Sequence, residues 1–194
     1  MNYSDKYKVI WLTPMRTATR SCSQIQKKMG FDRSGVHGIN IPKDKEDYYL
    51  VTNIRSPYPR IVSLFKLNCI WNKIEFSTKG FTKWLDFNFN NPNRFTIHLD
   101  FLYKDLPKNP DSFVRTEFLE TDLKNLWFIN QNFDFLEETF NNRILHNIFL
   151  NEYKISIPWQ SFYNEEIANL VYSKTENQFK LYNYNKNYWK DGTP

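Results

Sequence analysis

Arginine and hydroxyl side chains that can bind an anion are concentrated in one short stretch near the N-terminus, which we call the basic loop. It consists of Arg16, Thr17, Ala18, Thr19, Arg20 and Ser21. A guanidinium group binds phosphate or sulfate oxygens through two parallel N–H donors, and hydroxyl groups add further donors. The basic loop is therefore predicted to bind a phosphate or sulfate group.

The elements that must position the basic loop are a strand before it and a helix after it. Lys8 to Leu12 is an apolar run rich in β-forming residues, which predicts a buried strand that breaks at Pro14. Residues 21–29 are predicted to form a helix that ends at Gly30. The first N–H groups of a helix have no partner within it, and the helix dipole adds partial positive charge there. This order of elements favours an anion site at the start of the helix.

A second basic stretch follows the next predicted strand. Residues 47–54 are rich in β-forming side chains and lead into Arg55, and Pro57 suits the first turn of the helix that follows. The Arg55 guanidinium, at the end of the strand, and the Ser63 hydroxyl, one to two turns into the helix, can converge on one phosphate. Two alternatives stay open: Ser63 can bond to the carbonyls of its own helix, and Arg60 can pair with an acidic side chain and brace the helix.

Both stretches resemble the nucleotide-binding motifs of the sulfotransferases, and those that act on carbohydrates in particular. The basic loop is similar to their 5′-phosphosulfate loop, with Ala18 in the place of a glycine and Arg20 in the place of a hydroxyl residue. Residues 55–63 read Arg-x-Pro-x-x-Arg-x-x-Ser, which is similar to their 3′-phosphate motif. The phosphate loop G-x-x-x-x-G-K-[ST] of nucleoside triphosphatases is not matched, because residues 8–21 contain no glycine and no Lys–Ser/Thr pair.

A looser similarity to the same family extends over about residues 7–184. Residues 114–123 resemble a strand followed by Arg/Lys-x-Glu-x-Leu-x-x-Asp, and residues 164–184 resemble the family's terminal helix. The resemblance implies an α/β fold, a three-layer sandwich with a central parallel sheet of the kind found in P-loop nucleoside triphosphatases. At 194 residues, the chain is predicted to form a single sulfotransferase-like domain over 1–194.

The resemblance also implies an activity and a set of residue roles. The implied reaction moves a sulfuryl group from the co-substrate 3′-phosphoadenosine 5′-phosphosulfate to an acceptor hydroxyl or amine, on a carbohydrate or another small molecule, without a metal. Arg16, in the place of a lysine, would lie near the bridging oxygen and the leaving 5′-phosphate. Residues 17–21 would supply further donors, and Arg55 and Ser63 would hold the 3′-phosphate. Since Ala18 replaces a glycine, its φ is expected to be negative or strained.

A base that deprotonates the acceptor is implied as well. In the relatives that sulfate carbohydrates, a histidine between the first helix and the second strand has this role, and His37 lies in that interval. A pKa near neutrality suits the task; the alternative is an ordinary loop histidine. His98 is the reserve candidate, followed by a carboxylate such as Glu75 or Glu117. Glu117 can instead mark the end of a strand, paired with a neighbouring arginine or the backbone.

Composition restricts the remaining possibilities. A net charge of +5 and a pI near 9.0 favour anionic ligands without naming one. Two further classes stay open: a P-loop-related kinase, and a non-catalytic module that binds a nucleotide or a nucleic acid. Basic residues are dispersed and no nucleic-acid-binding signature is present, so no nucleic-acid partner is predicted. Two cysteines, no signal-peptide pattern and no apolar span of 18 residues predict a cytoplasmic protein without a membrane anchor.

Other elements are predicted from hydrophobic spacing. Helices are expected at about 57–72, 81–87, 119–126 and 133–140, with a terminal helix that starts near residue 163, and a third strand is expected at 112–118.

Overall fold

Each of the two basic stretches follows a strand of one sheet along the chain. A computed structural model describes residues 2–33, 41–91, 109–129 and 157–194. It has an α/β fold, as expected, and its described residues divide into two compact units. The first unit contains 2–54 and 109–129, and the second contains 55–91 and 157–194. The single domain over 1–194 stays a prediction.

The first unit is built on a five-stranded mixed sheet. Its strands are β1 (Asn2–Ser4), β2 (Val9–Leu12), β3 (Asp32–Arg33), β4 (Tyr49–Ile54) and β5 (Ser112–Arg115). They lie in the order β3-β1-β2-β4-β5. The strands β2, β4 and β5 are parallel, which confirms the central part of the predicted parallel sheet, whereas β1 is antiparallel to β2 and β3. The short turn between β1 and β2 explains the difference, since a parallel pair needs a crossover of a dozen or more residues.

The two faces of the sheet are both apolar, as the continuous hydrophobic run of β2 predicts. Val9 and Trp11 face a core cluster that includes Val51, Val114 and helices α1 (Thr19–Lys28) and α4 (Leu119–Lys124). Ile10 and Leu12 face the opposite side, with Leu50 and Tyr48. Strands buried on both faces are typical of parallel sheets in α/β proteins. The sheet therefore gives β2 and the loop after it a rigid base.

Helix α1 is amphipathic and spans Thr19–Lys28, within two residues of the predicted 21–29 at either end. Its buried residues Cys22, Ile25 and Gln26 lie on one face and Met29 continues that face, which is the spacing of a helix packed on a sheet. Gly30 follows with φ of 73°, a left-handed conformation that glycine adopts without strain.

The second unit consists of helices around an aromatic core. Its helices are α2 (Pro57–Asn72), α3 (Thr78–Phe89), α5 (Glu165–Leu181) and α6 (Tyr188–Asp191). Phe65, Phe81 and Phe162 are fully buried and their rings lie against one another. Tyr58 at the start of α2 packs on Phe179 of α5 and donates its hydroxyl hydrogen bond to the carbonyl of Lys186, 2.8 Å away.

The predicted helix boundaries are close to the observed ones where capping residues mark them. Pro57 at the start of α2 gives the predicted 57–72 without change. The helix predicted at 81–87 begins earlier, at Thr78, because the Ser77 side chain caps it by accepting a hydrogen bond from the Gly80 N–H. The helix predicted at 133–140 lies outside the described residues.

The third predicted strand is shorter than expected. It ends at Arg115, and residues 116–118 form a 3₁₀ helix. The Asp122 carboxylate accepts hydrogen bonds from the N–H of Arg115 and from its guanidinium group, at 2.6–2.8 Å. Thr116 donates its hydroxyl hydrogen bond to the carbonyl of Ile54, 3.0 Å away. These contacts turn the chain away from the strand direction. Within the described ranges, no helix is long and apolar enough to cross a membrane.

Candidate functional site

The basic loop connects the carboxyl end of β2 to the first turn of α1. Arg16 has φ of 67° and Ala18 has φ of 58° and ψ of 28°, so both residues are left-handed. The sequence left a negative or a strained φ open for Ala18, and the structure has the strained one. The conformation is strained because a side chain makes it unfavourable. A glycine would adopt it freely, and glycine is the residue that the sulfotransferase motif has at this position.

The threonine hydroxyls of the loop point to its own backbone. The carbonyl of Pro14 accepts hydrogen bonds from the hydroxyls of Thr17, at 2.6 Å, and Thr19, at 2.8 Å. The Thr17 N–H also donates to it, at 3.3 Å. A hydroxyl has a single hydrogen to donate, so in this arrangement both threonines brace the turn. Donation from these hydroxyls to an anion stays a prediction.

The main chain offers a more direct set of donors. Ala18 precedes α1 and its side chain forms no cap on the helix. A left-handed residue followed by a helical one turns successive N–H groups to the same side, which forms a concave anion-binding nest. The N–H groups of Ala18, Thr19 and Arg20 occupy these positions, next to the positive end of the α1 dipole. Arg20 is exposed and Arg16 is partly exposed. The loop is thus electropositive in both its backbone and its side chains.

A buried asparagine on β4 fastens the loop to the sheet. Asn53 is fully buried, and its Oδ1 accepts a hydrogen bond from Trp11 Nε1, 2.7 Å away. Its Nδ2 donates to the carbonyl of Thr17, at 2.6 Å, and to the Sγ of Cys22, at 2.9 Å. Sequence reasoning missed this residue. Its signal was available, because asparagine is unfavourable inside a strand and needs partners when it is buried.

The predicted 3′-phosphate residues belong to the second unit. Arg55 follows β4 directly, and Ser63 is seven residues into α2, counting from Pro57. Both side chains are partly exposed. Arg60 is only 3% exposed, and its pairing with an acidic side chain stays a prediction. The structure thus brings residues 16–21 together in one loop and helix start. It has Arg55 between β4 and α2, and Ser63 in the second turn of α2.

The predicted base candidates are only partly described. His37 and His98 both lie outside the described residues. Glu75 is exposed in the second unit, where its carbonyl accepts a hydrogen bond from the thiol of Cys69. Glu117 lies in the 3₁₀ helix after β5, and the neighbouring Arg115 forms its two-pronged ion pair with Asp122. The assignment of a base therefore stays a prediction.

Metal ligands do not cluster in the described part of the chain: no group of three or more His, Cys, Asp or Glu side chains there could hold an ion. Searches against protein-family models, curated proteins and solved structures found no match to this chain.

Proposed function

We propose that this protein transfers a sulfuryl group from 3′-phosphoadenosine 5′-phosphosulfate to an acceptor hydroxyl or amine, with a carbohydrate-like acceptor favoured. The observation that supports the proposal most is the left-handed Ala18, at the position where the sulfotransferase loop has a glycine. A loop of this shape after a buried strand, followed by a helix N-terminus, suits an anionic phosphosulfate. The proposal includes the three-layer P-loop-like sandwich that the family resemblance implies.

The proposed chemistry depends on position and charge. The sulfur leaves the bridging oxygen of the donor as the acceptor oxygen or nitrogen attacks in line, and the acceptor's proton passes to a base, for which His37 is the candidate. Negative charge grows on the leaving 5′-phosphate, where the backbone N–H groups of residues 18–20 and the Arg16 guanidinium would stabilise it. An arginine stabilises this charge without giving up a proton. Arg55 and Ser63 would hold the 3′-phosphate.

The proposal is tested by thermal unfolding with adenosine 3′,5′-bisphosphate, AMP and ATP–Mg²⁺ in parallel. A ligand at 100 times its dissociation constant adds about 2.7 kcal/mol to the free energy of unfolding. In a chain of this size, that corresponds to a rise of about 5–10 °C in the unfolding temperature. Arg20→Ala and Arg55→Ala should reduce the rise. Lys27→Ala at the far end of α1 and Lys83→Ala on α3 are matched controls, because both lysines are exposed and outside the motifs.

Each result has a distinct meaning. A rise with the bisphosphate that is larger than with AMP, and that both arginine variants reduce, supports recognition of both phosphates. A rise with ATP–Mg²⁺ alone overturns the proposal in favour of a phosphate-transferring kinase. No rise with any of the three ligands also contradicts it and leaves a binding module of another kind. Once the bisphosphate is shown to bind, transfer of labelled sulfate to a panel of sugars tests the reaction itself.

A further inference from the structure

The peptide between Thr17 and Ala18 is held by a contact that the sulfotransferase motif does not include. We propose that Asn53 is a positioning residue for the basic loop, and that it fixes this peptide so that the Ala18 N–H faces a bound anion. The inference rests on the proposed function for the anion. Its geometry rests on contacts inside the first unit alone.

Asn53 is placed to control the orientation of the loop. The indole N–H of Trp11 can only donate, so the atom it contacts is Oδ1 of Asn53 and the two amide hydrogens are on the other side. One of these hydrogens contacts the Thr17 carbonyl at 2.6 Å, and Cys22 Sγ lies 2.9 Å from the same nitrogen. Because Trp11 and Asn53 are both fully buried in the sheet, the Thr17 carbonyl is tied to a rigid support.

The orientation of that carbonyl determines the orientation of the next N–H. In a trans peptide the C=O and N–H groups point in opposite directions. The Thr17 carbonyl points to Asn53, so the Ala18 N–H points away from Asn53 and the sheet interior. None of the hydrogen bonds found among the described residues uses this N–H. It is the first of the three donors of the proposed anion nest.

The left-handed conformation of Ala18 makes this contact necessary. A flip of the peptide between Thr17 and Ala18 turns the N–H inward and changes φ of Ala18 by half a turn, from 58° to about −120°. At a φ of about −120°, with ψ still near 28°, alanine leaves the left-handed region, whereas the observed φ persists only because surrounding contacts enforce it. The hydrogen bond from the Asn53 amide to the Thr17 carbonyl opposes this flip, because the flip would break it. A glycine at position 18 would adopt the left-handed conformation unaided. The alanine there is held in it by the contact from Asn53.

The chain offers a direct test, because its only two alanines are Ala18 and Ala168. Protein labelled with ¹³C and ¹⁵N at alanine gives two signals, one from the loop and one from the buried face of α5. Carbon chemical shifts distinguish left-handed, helical and extended alanine. In Asn53→Leu, the Ala18 signal should move from its left-handed position to one typical of negative φ, while the Ala168 signal stays helical.

The matched control is Thr52→Val, which changes the neighbouring buried residue of β4 without touching the loop contacts. Its Oγ1 has no hydrogen-bond partner among the described residues. Both alanine signals should keep their positions in this variant. An Ala18 signal that stays left-handed in Asn53→Leu overturns the inference. If Ala168 shows that Asn53→Leu is unfolded, Asn53→Val decides in its place, because valine suits a buried strand and has no group that donates to Thr17.

A binding measurement connects the peptide to the anion. If the flipped state dominates by ten to one, the dissociation constant of adenosine 3′,5′-bisphosphate should rise about tenfold in Asn53→Leu. Adding Ala18→Gly to this variant should restore most of the affinity, because glycine adopts the left-handed state without the clamp. A role in stability alone predicts no such rescue. The alanine signals need no ligand, so a shifted Ala18 signal in a protein that binds no bisphosphate would support the Asn53 role while refuting the proposed function.

Discussion

Replacing Ala18 with glycine tests the strain in the basic loop directly. Ala18 has φ of 58° and its methyl group packs, partly exposed, against the core of the first unit. A left-handed alanine costs about 1–2 kcal/mol relative to its normal conformations. Glycine removes this strain, but it also gives the unfolded chain more freedom, which lowers stability by about 0.4–1 kcal/mol.

The net effect is expected to be a small gain in stability. Loss of a fully buried methyl group costs about 0.8 kcal/mol, and loss of a partly buried one costs less. Taken together, Ala18→Gly should raise the free energy of unfolding by about 0.5 kcal/mol. Ala168→Gly is the matched comparison, since Ala168 is 2% exposed within helix α5. It should lower the free energy of unfolding by about 2 kcal/mol, from helix propensity and lost burial together.

Urea unfolding followed by circular dichroism measures both variants under one condition. The same substitution should shift the midpoint upward at position 18 and downward at position 168, provided that the m-value is unchanged. If Ala18→Gly destabilises the protein as much as Ala168→Gly does, the loop does not hold a strained alanine. The argument that position 18 is a glycine-type position would then fail.

Three further predictions concern contacts outside the loop. Asp122→Ala should lower the free energy of unfolding by about 2–3 kcal/mol in urea unfolding, because it removes three hydrogen bonds to a buried carboxylate; a smaller loss than 1 kcal/mol would contradict this. Burial raises the pKa of Cys69 from 9.0 to about 11, so stability should fall as the pH rises from 9 to 11, and Cys69→Ala should flatten that slope in thermal scans. Hydrogen bonds from Lys45 and Tyr48 lower the pKa of Asp5. The stability that this carboxylate contributes is present at neutral pH and is lost as the pH falls below 3.8. Asp5→Asn should therefore reduce the loss of stability in acid, and an unchanged loss would refute the pairing.

Local patterns in the sequence determined the elements that flank the loop. An apolar run before Pro14 predicted β2, and Gly30 and Pro57 marked the end of one helix and the start of the next. Such signals act over a few residues, through backbone conformation and capping, so they can be read without knowing the fold. The family resemblance of residues 16–21 and 55–63 rests on the same kind of local information.

The sequence also left questions that a local pattern cannot answer. It allowed two conformations for Ala18, and it gave no reason to connect Asn53 with Thr17. Those residues meet because β4 pairs with β2 in parallel, with Trp11 opposite Val51 and Leu12 opposite Thr52. The first antiparallel strand, Asn2–Ser4, was likewise missed, since three residues show too little periodicity to be recognised.

The sequence and the tertiary structure determined different properties of the basic loop, and the difference has a physical reason. The residue types of the basic loop determined which hydrogen-bond donors are available, because guanidinium, hydroxyl and backbone N–H groups can each donate to an anion. The tertiary structure decided the direction of those donors. It turned the hydroxyls of Thr17 and Thr19 inward to the Pro14 carbonyl. It also held Ala18 in a left-handed conformation through Asn53, a buried residue that is distant in sequence. A strained backbone is stable only when the packed interior enforces it, and that interior exists only in the folded chain.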